Sequence, residues 1–217
     1  MSGWTHFKRN RAAEWSMWFL AIITLLAICA PWVTRFSYEE QNILHKLQGP
    51  TLEHWMGTDT LGRDLYSRII YGARMSLAVG FVTALFALFV GTLTGSIAGY
   101  TGGWIDKLLM RVVDIFYIFP SLLSSILLGL LLGRGFTGIF LALGITAWVT
   151  QARLVRGLVL QAREFNYVEA ARALGVSHPW IVFRHILPNL WGPIIVSLTM
   201  QIPAAIMSES FLSFIGL

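Results

Sequence analysis

The chain has 217 residues, of which 56% are hydrophobic and only 12% are charged, whereas an ordinary soluble domain carries about 25% charged residues. That composition excludes a soluble globule, because five long stretches contain no Asp, Glu, Lys or Arg: 15–34, 75–105, 115–133, 135–152 and 185–208. Since a helix of about 20 apolar residues crosses a bilayer, we predict an all-α, polytopic membrane protein. The net charge of +5 then fits basic residues flanking membrane spans better than a nucleic-acid partner.

The N-terminal region is predicted to be a short tail followed by a first span. Lys8, Arg9 and Arg11 precede the first apolar run, and basic residues favour the cytoplasmic side. We therefore predict a cytoplasmic tail over 1–14 and span 1 over 15–34. Pro31 directly after "AICA" makes a poor cleavage site, so the run is expected to be permanent and not a removable signal peptide.

The remaining spans follow after a polar stretch of about 40 residues. Residues 35–74 are predicted to be extracytoplasmic and to include an interfacial helix that leads into span 2. Residues 75–217 are predicted to form a core of four spans, expected within 75–100, about 113–133, about 136–152 and about 190–208, with a cytoplasmic loop over 153–188. This alternation places ten of the sixteen Lys and Arg residues inside and six outside, in the direction that membrane proteins prefer.

Two polar features near the spans have structural interpretations. The sequence "GTDTLGRD" places Asp59 and Asp64 among glycines, which is typical of tight turns, and two carboxylates are too few for a calcium cage. Arg111 and Asp114 are three residues apart, which favours a pair at the inner edge of span 3.

The stretch "NYVEAARALGVSHPWIVFRHILPNL", residues 166–190, is the most polar part of the second half of the chain. Asn166 can cap a helix with Glu169 three residues later, and Gly175 suits a left-handed stop, so two short helices are predicted on either side of Gly175. A connecting interfacial helix would fit equally well on composition alone. A DNA-binding helix-turn-helix fits poorly, because both flanks are membrane runs and leave no room for a soluble bundle.

This stretch resembles the EAA loop of the permease subunits of ABC importers. The matching positions are Glu169, Ala170, Ala171, Gly175, Leu187 and Pro188, while His185 occupies a slot that is aliphatic in the family and has Ile186 beside it. Residues 56–77, "MGTDTLGRDLYSRIIYGARMSL", resemble the signature ahead of span 2 in the dipeptide, oligopeptide and nickel subfamily. "FKRNRAA" (7–13) and "ESFLSFIGL" (209–217) are similar to the C-type subunit of that subfamily.

The resemblance implies a type I ABC importer permease fold with six spans, of which five are expected here because the chain stops after "FIGL". It also implies a bacterial cytoplasmic (inner) membrane protein that pairs with a homologous permease, two ABC ATPase subunits and an extracytoplasmic solute-binding protein. ATP and Mg would be used by the ATPases, which would contact Glu169 and the small side chains of Ala170 and Ala171. The sequence has no Gly-x4-Gly-Lys-Ser/Thr loop, so we expect no enzymatic activity, directly bound cofactor, catalytic residue or metal site in this chain.

The last apolar run is the candidate translocation path. Pro193 and Pro203 favour kinks, and Ser197, Gln201 and Glu209 add polar groups to a membrane helix. The expected solute is a short peptide, with nickel or another small solute as the alternative. An ion-coupled secondary transporter is a second class, but it would place ionisable groups deep in the spans. A membrane scaffold, the third class, would need neither the EAA spacing nor these prolines.

Overall fold

A computed structural model describes residues 10–133 and 135–216, so the predictions that concern Lys8, Arg9 and Leu217 lie outside the described residues. The helices are α1 (Arg11–Ile28), α2 (Ala30–Val33), α3 (Leu65–Phe86), α4 (Thr92–Thr101), α5 (Gly103–Ile118), α6 (Ser121–Leu132), α7 (Phe136–Ala162), α8 (Asn166–Ala173), α9 (His178–Trp180) and α10 (Leu187–Phe214). A π-helical turn at Ala87–Gly91 joins α3 to α4, and another at Ile181–Ile186 joins α9 to α10.

The helices confirm the all-α, polytopic class. Within the described residues four helices are long and apolar enough to cross a membrane, and the number is five if α5 and α6 together count as one bent span. The chain divides into two compact units, and the boundary between them lies between Leu77 and Ala78, inside α3.

The first unit contains α1, α2, the connection over 34–64 and the beginning of α3. Asp64 starts α3, because its carboxylate accepts a hydrogen bond of 2.7 Å from the backbone N–H of Ser67. The helix then continues without a break to Phe86, so the helix expected ahead of span 2 is present and is continuous with it. Arg68 and Arg74 do not end the helix, because charged side chains on one turn leave the backbone hydrogen bonds intact and no proline intervenes.

The span expected over about 113–133 is a bent pair of helices that begins at Gly103. The helices α5 and α6 meet at 90°, and the bend lies at Phe119 and Pro120. Phe119 has the extended backbone (ψ 139°) that a following proline favours, and Pro120 has no N–H to donate to the preceding turn. Proline therefore breaks this helix, whereas α10 continues through Pro193 and Pro203.

Helix α7 is the centre of the second unit and contacts α4, α5, α6 and α10. It continues to Ala162, so the expected end of span 4 near residue 152 was too early. Two arginines on its last turns pair with α5: Arg156 donates two hydrogen bonds of 2.5 and 2.6 Å to Asp106, and Arg153 lies 3.5 Å from Asp114. Asp114 thus pairs across helices, and the predicted local partner, Arg111, is replaced by Arg153.

Three glycines four residues apart allow α4 to approach α7 closely. A Cβ atom added at Gly95 would lie 2.5 Å from the carbonyl oxygen of Ala152, and one at Gly99 would lie 2.7 Å from that of Arg156. At Gly91 the added atom would lie 2.6 Å from Cβ of Gln151. This spacing of small residues is a known signal for close helix contact in membranes, and it was not used in the sequence prediction.

Replacing Gly95 by Ala is expected to destabilise the protein by about 1–3 kcal/mol, because the methyl group meets backbone atoms that cannot move aside. Gly157→Ala is the matched control, since nothing lies within 4 Å of its added Cβ. Denaturant titration of both variants in detergent micelles measures the difference. Equal stability of the two variants would contradict the close packing of α4 on α7.

Candidate functional site

The segment over 163–188 contains a short helix with a tightly closed C-terminal end. Helix α8 ends with a hydrogen bond of 3.1 Å from the N–H of Val176 to the carbonyl of Ala171 and one of 2.9 Å from the N–H of Gly175 to the carbonyl of Arg172. Gly175 takes φ +77°, the left-handed conformation that this motif requires and that glycine adopts without strain. The predicted helix on each side of Gly175 is therefore confirmed, but the second one is not short, because it continues from His178 through the π-helical turn to Phe214.

The predicted N-terminal cap of α8 was wrong. The cap residue is Phe165, whose extended backbone leaves its carbonyl to accept from the N–H groups of Val168 (2.9 Å) and Glu169 (3.2 Å). Asn166 lies one residue inside the helix and makes no side-chain cap. The carboxylate of Glu169 is therefore not required for capping and stays on the exposed surface.

One face of the 163–188 segment is packed into the second unit. Val168 and Ile181 are fully buried and Ala171 is 6% exposed, and they lie in one hydrophobic cluster with residues of α7 and α10. Ala171 was expected to face a partner together with Ala170, but it packs inward. Only Ala170 is exposed, because residues one position apart on a helix point in directions about 100° apart.

The opposite face of α8 is exposed and mixes one charge with small and apolar side chains. It consists of Glu169, Ala170, Ala173 and Leu174, and Leu174 is 83% exposed at the tip of the segment. Because the packed face already anchors the helix, this outer face can accept a second macromolecule without unfolding its support.

The Leu187–Pro188 pair stands next to the π-helical turn. Pro188 has no N–H, so the usual hydrogen bond to the carbonyl four residues earlier cannot form, and the helix widens over Ile181–Ile186. The side chain of Asn189 donates a hydrogen bond of 2.7 Å to the carbonyl of His185. Ile186 is fully buried, whereas His185 is only half-buried. In the family pattern the aliphatic residue stands at the position of His185. The wider turn therefore buries an aliphatic side chain here as well, one residue later in the sequence.

A cavity of about 360 Å³ lies among the helices of the second unit and includes two of the predicted path residues, Ser197 and Gln201. Most of its lining surface is apolar, although eight of its thirteen lining residues carry a hydroxyl or amide group. In the described part of the chain every lining residue is uncharged: Thr83, Ser121, Ser125, Leu143, Thr146, Ala147, Thr150, Ser197, Met200, Gln201, Ala204, Ala205 and Ser208. Such a wall forms hydrogen bonds but no ion pairs.

The other two predicted path residues lie elsewhere. Pro203 is exposed and Glu209 is 9% exposed, and neither lines this cavity. The carboxylate of Glu209 accepts a hydrogen bond of 3.1 Å from Ser213, one turn later on the same helix.

A buried glutamine that the sequence prediction did not include supports the cavity wall. The side-chain oxygen of Gln151 on α7 accepts hydrogen bonds from Gln201 (2.8 Å) and Ser197 (3.0 Å) on α10. Gln151 is fully buried, and its Nε2 has no partner among the residues that the structure describes. Its presence at the end of a charge-free run was the available signal, because an amide in a membrane helix seeks a partner on a neighbouring helix.

Asp59 and Asp64, in the first unit, perform the turn chemistry predicted for them. Asp59 accepts from the backbone N–H groups of Leu61 (2.8 Å) and Arg63 (3.0 Å), and Arg63 and Arg68 both pair with its carboxylate. Asp64 lies 3.0 Å from Nδ1 of His54. Over residues 10–133 and 135–216, no three His, Cys, Asp or Glu side chains are grouped so as to hold a metal ion.

The comparisons identify the class and then the family. Residues 91–217 match the family described as the inner membrane component of binding-protein-dependent transport systems, and residues 2–50 match the N-terminal transmembrane domain of oligopeptide transport permease C. The chain is 42% identical over 214 residues to the dipeptide transport system permease protein DppC of Bacillus subtilis. The aligned region covers 99% of this chain and 67% of that protein.

Two further relatives agree. Identity is 42% over 213 residues to the oligopeptide transport system permease protein OppC of Haemophilus influenzae, with 97% of this chain and 68% of that protein covered. It is 39% over 215 residues to the glutathione transport system permease protein GsiD of Escherichia coli O6:K15:H31, with 99% and 71% covered. The chain therefore spans about two thirds of the length of these relatives.

The fold and the matches define a multi-pass inner membrane subunit of an ABC import system. Within that class the chain belongs to the binding-protein-dependent transport permeases, as a C-type subunit of the oligopeptide and dipeptide group. A subunit of such a system works in a complex with other subunits.

The pKa of Asp59 gives a testable pH dependence. Partial burial alone would raise this pKa, but hydrogen bonds from the Arg63 and Leu61 backbone and from the Arg63 guanidinium outweigh it and lower the pKa from 3.8 to about 2. The stabilisation is therefore complete above about pH 4 and is lost as the pH falls through about 2. Asp59→Asn is expected to make the connection over 34–64 more sensitive to limited proteolysis at pH 7 than it is in the wild type. The exposed Glu53→Gln is the control and should digest like the wild type.

Proposed function

We propose that this chain is a translocation subunit of an ATP-driven importer of short peptides, and that the outer face of α8 docks on a separate ATPase subunit. The observation that carries the proposal is the combination of a fully packed inner face with an exposed Leu174 beside Glu169 on a short, closed helix. Leu174 does not stand alone, because Ala170 and Ala173 lie beside it on the same exposed face, and a contiguous apolar surface next to a charge suits a protein contact.

The expected assembly follows from the same proposal. The 163–188 segment and the N-terminal tail lie in the cytoplasm, and the connection over 34–64 lies on the opposite side. A homologous second permease completes the pathway, two ABC ATPases use ATP and Mg, and an extracytoplasmic solute-binding protein delivers the solute. Glu169, Ala170, Leu174 and Gly175 form or shape the contact. Ala171 and Leu187 support it from within, and Pro188 shapes the π-helical turn behind it.

The chemistry of the cavity favours a peptide over a nickel ion. Peptide N–H and carbonyl groups are matched by the hydroxyl and amide groups of the lining, including Ser197 and Gln201. Nickel prefers imidazole and other nitrogen ligands, and the described lining offers none. The names of the relatives, which refer to dipeptides, oligopeptides and glutathione, support the same choice. Ser197 and Gln201 therefore remain candidate residues of the translocation path, because they line the cavity. Pro203 and Glu209 lie on the same helix but do not line it.

Site-specific cysteines test the docking face and its side of the membrane. Cys29→Ser removes the only cysteine in the sequence, and Leu174→Cys or Leu52→Cys then adds one at an exposed position, 83% or 94% exposed respectively. We expect a membrane-impermeant maleimide to label position 52 in intact cells and position 174 only after permeabilisation. In the complete transporter, position 174 should crosslink to the ATPase subunit and position 52 should not.

Labelling of position 174 from outside, or its failure to crosslink to an ATPase in the assembled transporter, would reject the proposal. Glu169→Lys tests the docking face by its effect on uptake. The substitution reverses the one charge on the outer face of α8 and leaves the packed face unchanged. It should reduce uptake, whereas Glu14→Lys, the same charge change at the exposed start of α1, should not.

The path is tested separately through Gln201. Gln201→Leu removes its hydrogen bonds to Gln151 and Ser197 and its amide from the cavity wall. We expect a decrease of about fivefold or more in the peptide uptake rate, since one hydrogen bond corresponds to about fivefold and two are lost, with crosslinking at position 174 unchanged. Gln161→Leu, at an exposed position near the end of α7, is the control. Uptake at the wild-type rate by Gln201→Leu would remove this residue from the path.

A further inference from the structure

We propose that Tyr100 is a positioning residue that transmits movement of the 163–188 segment to helix α4. This inference rests on the proposed function and adds to it a specific contact, at a residue outside the segment that resembles the EAA loop. Tyr100 is the second-last residue of α4 and is only 9% exposed. Its ring belongs to the same hydrophobic cluster as Val168, Ala171 and Ile181.

The hydroxyl group of Tyr100 contacts the segment on both sides of Gly175. It lies 3.0 Å from Nδ1 of His178, which follows the glycine, and it accepts a hydrogen bond of 3.4 Å from Nε of Arg172, which precedes it. The guanidinium carbon of Arg172 also lies 5.2 Å from the centre of the tyrosine ring. One side chain from α4 therefore contacts both arms of the helix–glycine–helix unit.

The chemistry of arginine fixes the direction of one of the two hydrogen bonds. Arginine can only donate, so the hydroxyl oxygen of Tyr100 is the acceptor for Arg172. The hydroxyl can both donate and accept, so it can bond to Nδ1 of His178 in either tautomer of the ring. Both hydrogen bonds use the same oxygen, so a displacement of α8 relative to α9 moves Tyr100 or breaks one of them.

Helix α4 is coupled to the segment only through packing on α7 and through side-chain contacts, because no short stretch of chain joins the two. The α7 helix leads directly into the segment at Arg163, and α9 continues through the π-helical turn into α10. Helix α4 is separated from His178 by 78 residues in sequence. Besides Tyr100, Arg163 reaches α4 with a hydrogen bond of 3.2 Å to the carbonyl of Gly99.

The other end of this route is the cavity. Helix α4 continues backwards through the Ala87–Gly91 turn into α3, which contributes Thr83 to the cavity wall. The Oγ1 atom of Thr83 is buried and has no hydrogen-bond partner among the described residues. Tyr100 thus joins the segment to the helix that contributes Thr83 to the cavity, while α10 contributes Ser197 and Gln201 and is connected to the segment through the chain itself.

The test is the number of peptides transported per ATP hydrolysed by the complete transporter in proteoliposomes. Tyr100→Phe keeps the buried ring and removes only the hydroxyl, so we expect a decrease of about fivefold in this ratio with unchanged assembly. Tyr167→Phe makes the same chemical change on α8 at a half-exposed position and should leave the ratio unchanged. A purely structural role would lower the amount of folded complex and leave the ratio of the remaining complex as it was.

Two substitutions of the partner residue make the test independent of Tyr100. His178→Leu removes the hydrogen-bonding group and should reproduce the lower ratio, whereas His178→Asn restores an amide that can accept or donate near the place of Nδ1 and should recover most of it. If Tyr100→Phe does not assemble, the two His178 variants decide. A wild-type ratio in Tyr100→Phe, or equal ratios in His178→Leu and His178→Asn, would overturn the inference.

This failure is distinguishable from failure of the proposed function. If position 174 still crosslinks to the ATPase while Tyr100→Phe transports with the wild-type ratio, only the role of Tyr100 is rejected. If the crosslink never forms, the docking proposal itself is rejected.

Discussion

The contact between α4 and α7 is the interaction on which most of the second unit depends. Gly91, Gly95 and Gly99 remove every Cβ atom from one stripe of α4 and its preceding turn, so that backbone meets backbone or the base of a side chain on α7. In lipid there is no water to exclude between helices, and close van der Waals contact of this kind is a main source of association. Once α7 is fixed in this way, α5, α6 and α10 pack on its remaining surface.

The polar groups of the second unit are arranged around that central helix. Near the C-terminal end of α7, Arg156 forms an ion pair with Asp106 through two hydrogen bonds. Earlier on the same helix, the side-chain oxygen of Gln151 accepts hydrogen bonds from Ser197 and Gln201. Each group finds its partner on another helix, because a buried charge or amide without a partner is costly in an apolar environment. The same polar residues therefore stabilise the bundle and define where α10 faces a cavity with an uncharged wall.

The 163–188 segment combines a rigid support with a free surface. Its support comes from Val168, Ala171 and Ile181 and from the closed end of α8 at Gly175. The free surface is short, with Leu174 at its tip, which suits a contact that must move together with the helices behind it. On our proposals, the chain transmits this movement to α10 directly and the hydroxyl of Tyr100 transmits it to α4.

The sequence by itself determined the class, the approximate positions of the membrane helices and the helix–glycine–helix unit. These depend on local properties: runs without charge, a glycine that accepts a positive φ, and the spacing from Glu169 to Pro188. The 90° bend at Pro120 and the uninterrupted passage of α10 through Pro193 and Pro203 were decided by the structure, because the same residue type is tolerated or not according to the packing of its helix. Tertiary structure also decided which alanine is buried, that Asp114 pairs with Arg153 and not Arg111, and that Gln151 and Tyr100 join distant segments. Such contacts depend on which helices become neighbours. A pattern within one helix can indicate that the helix has a partner, but it does not say which helix that partner is.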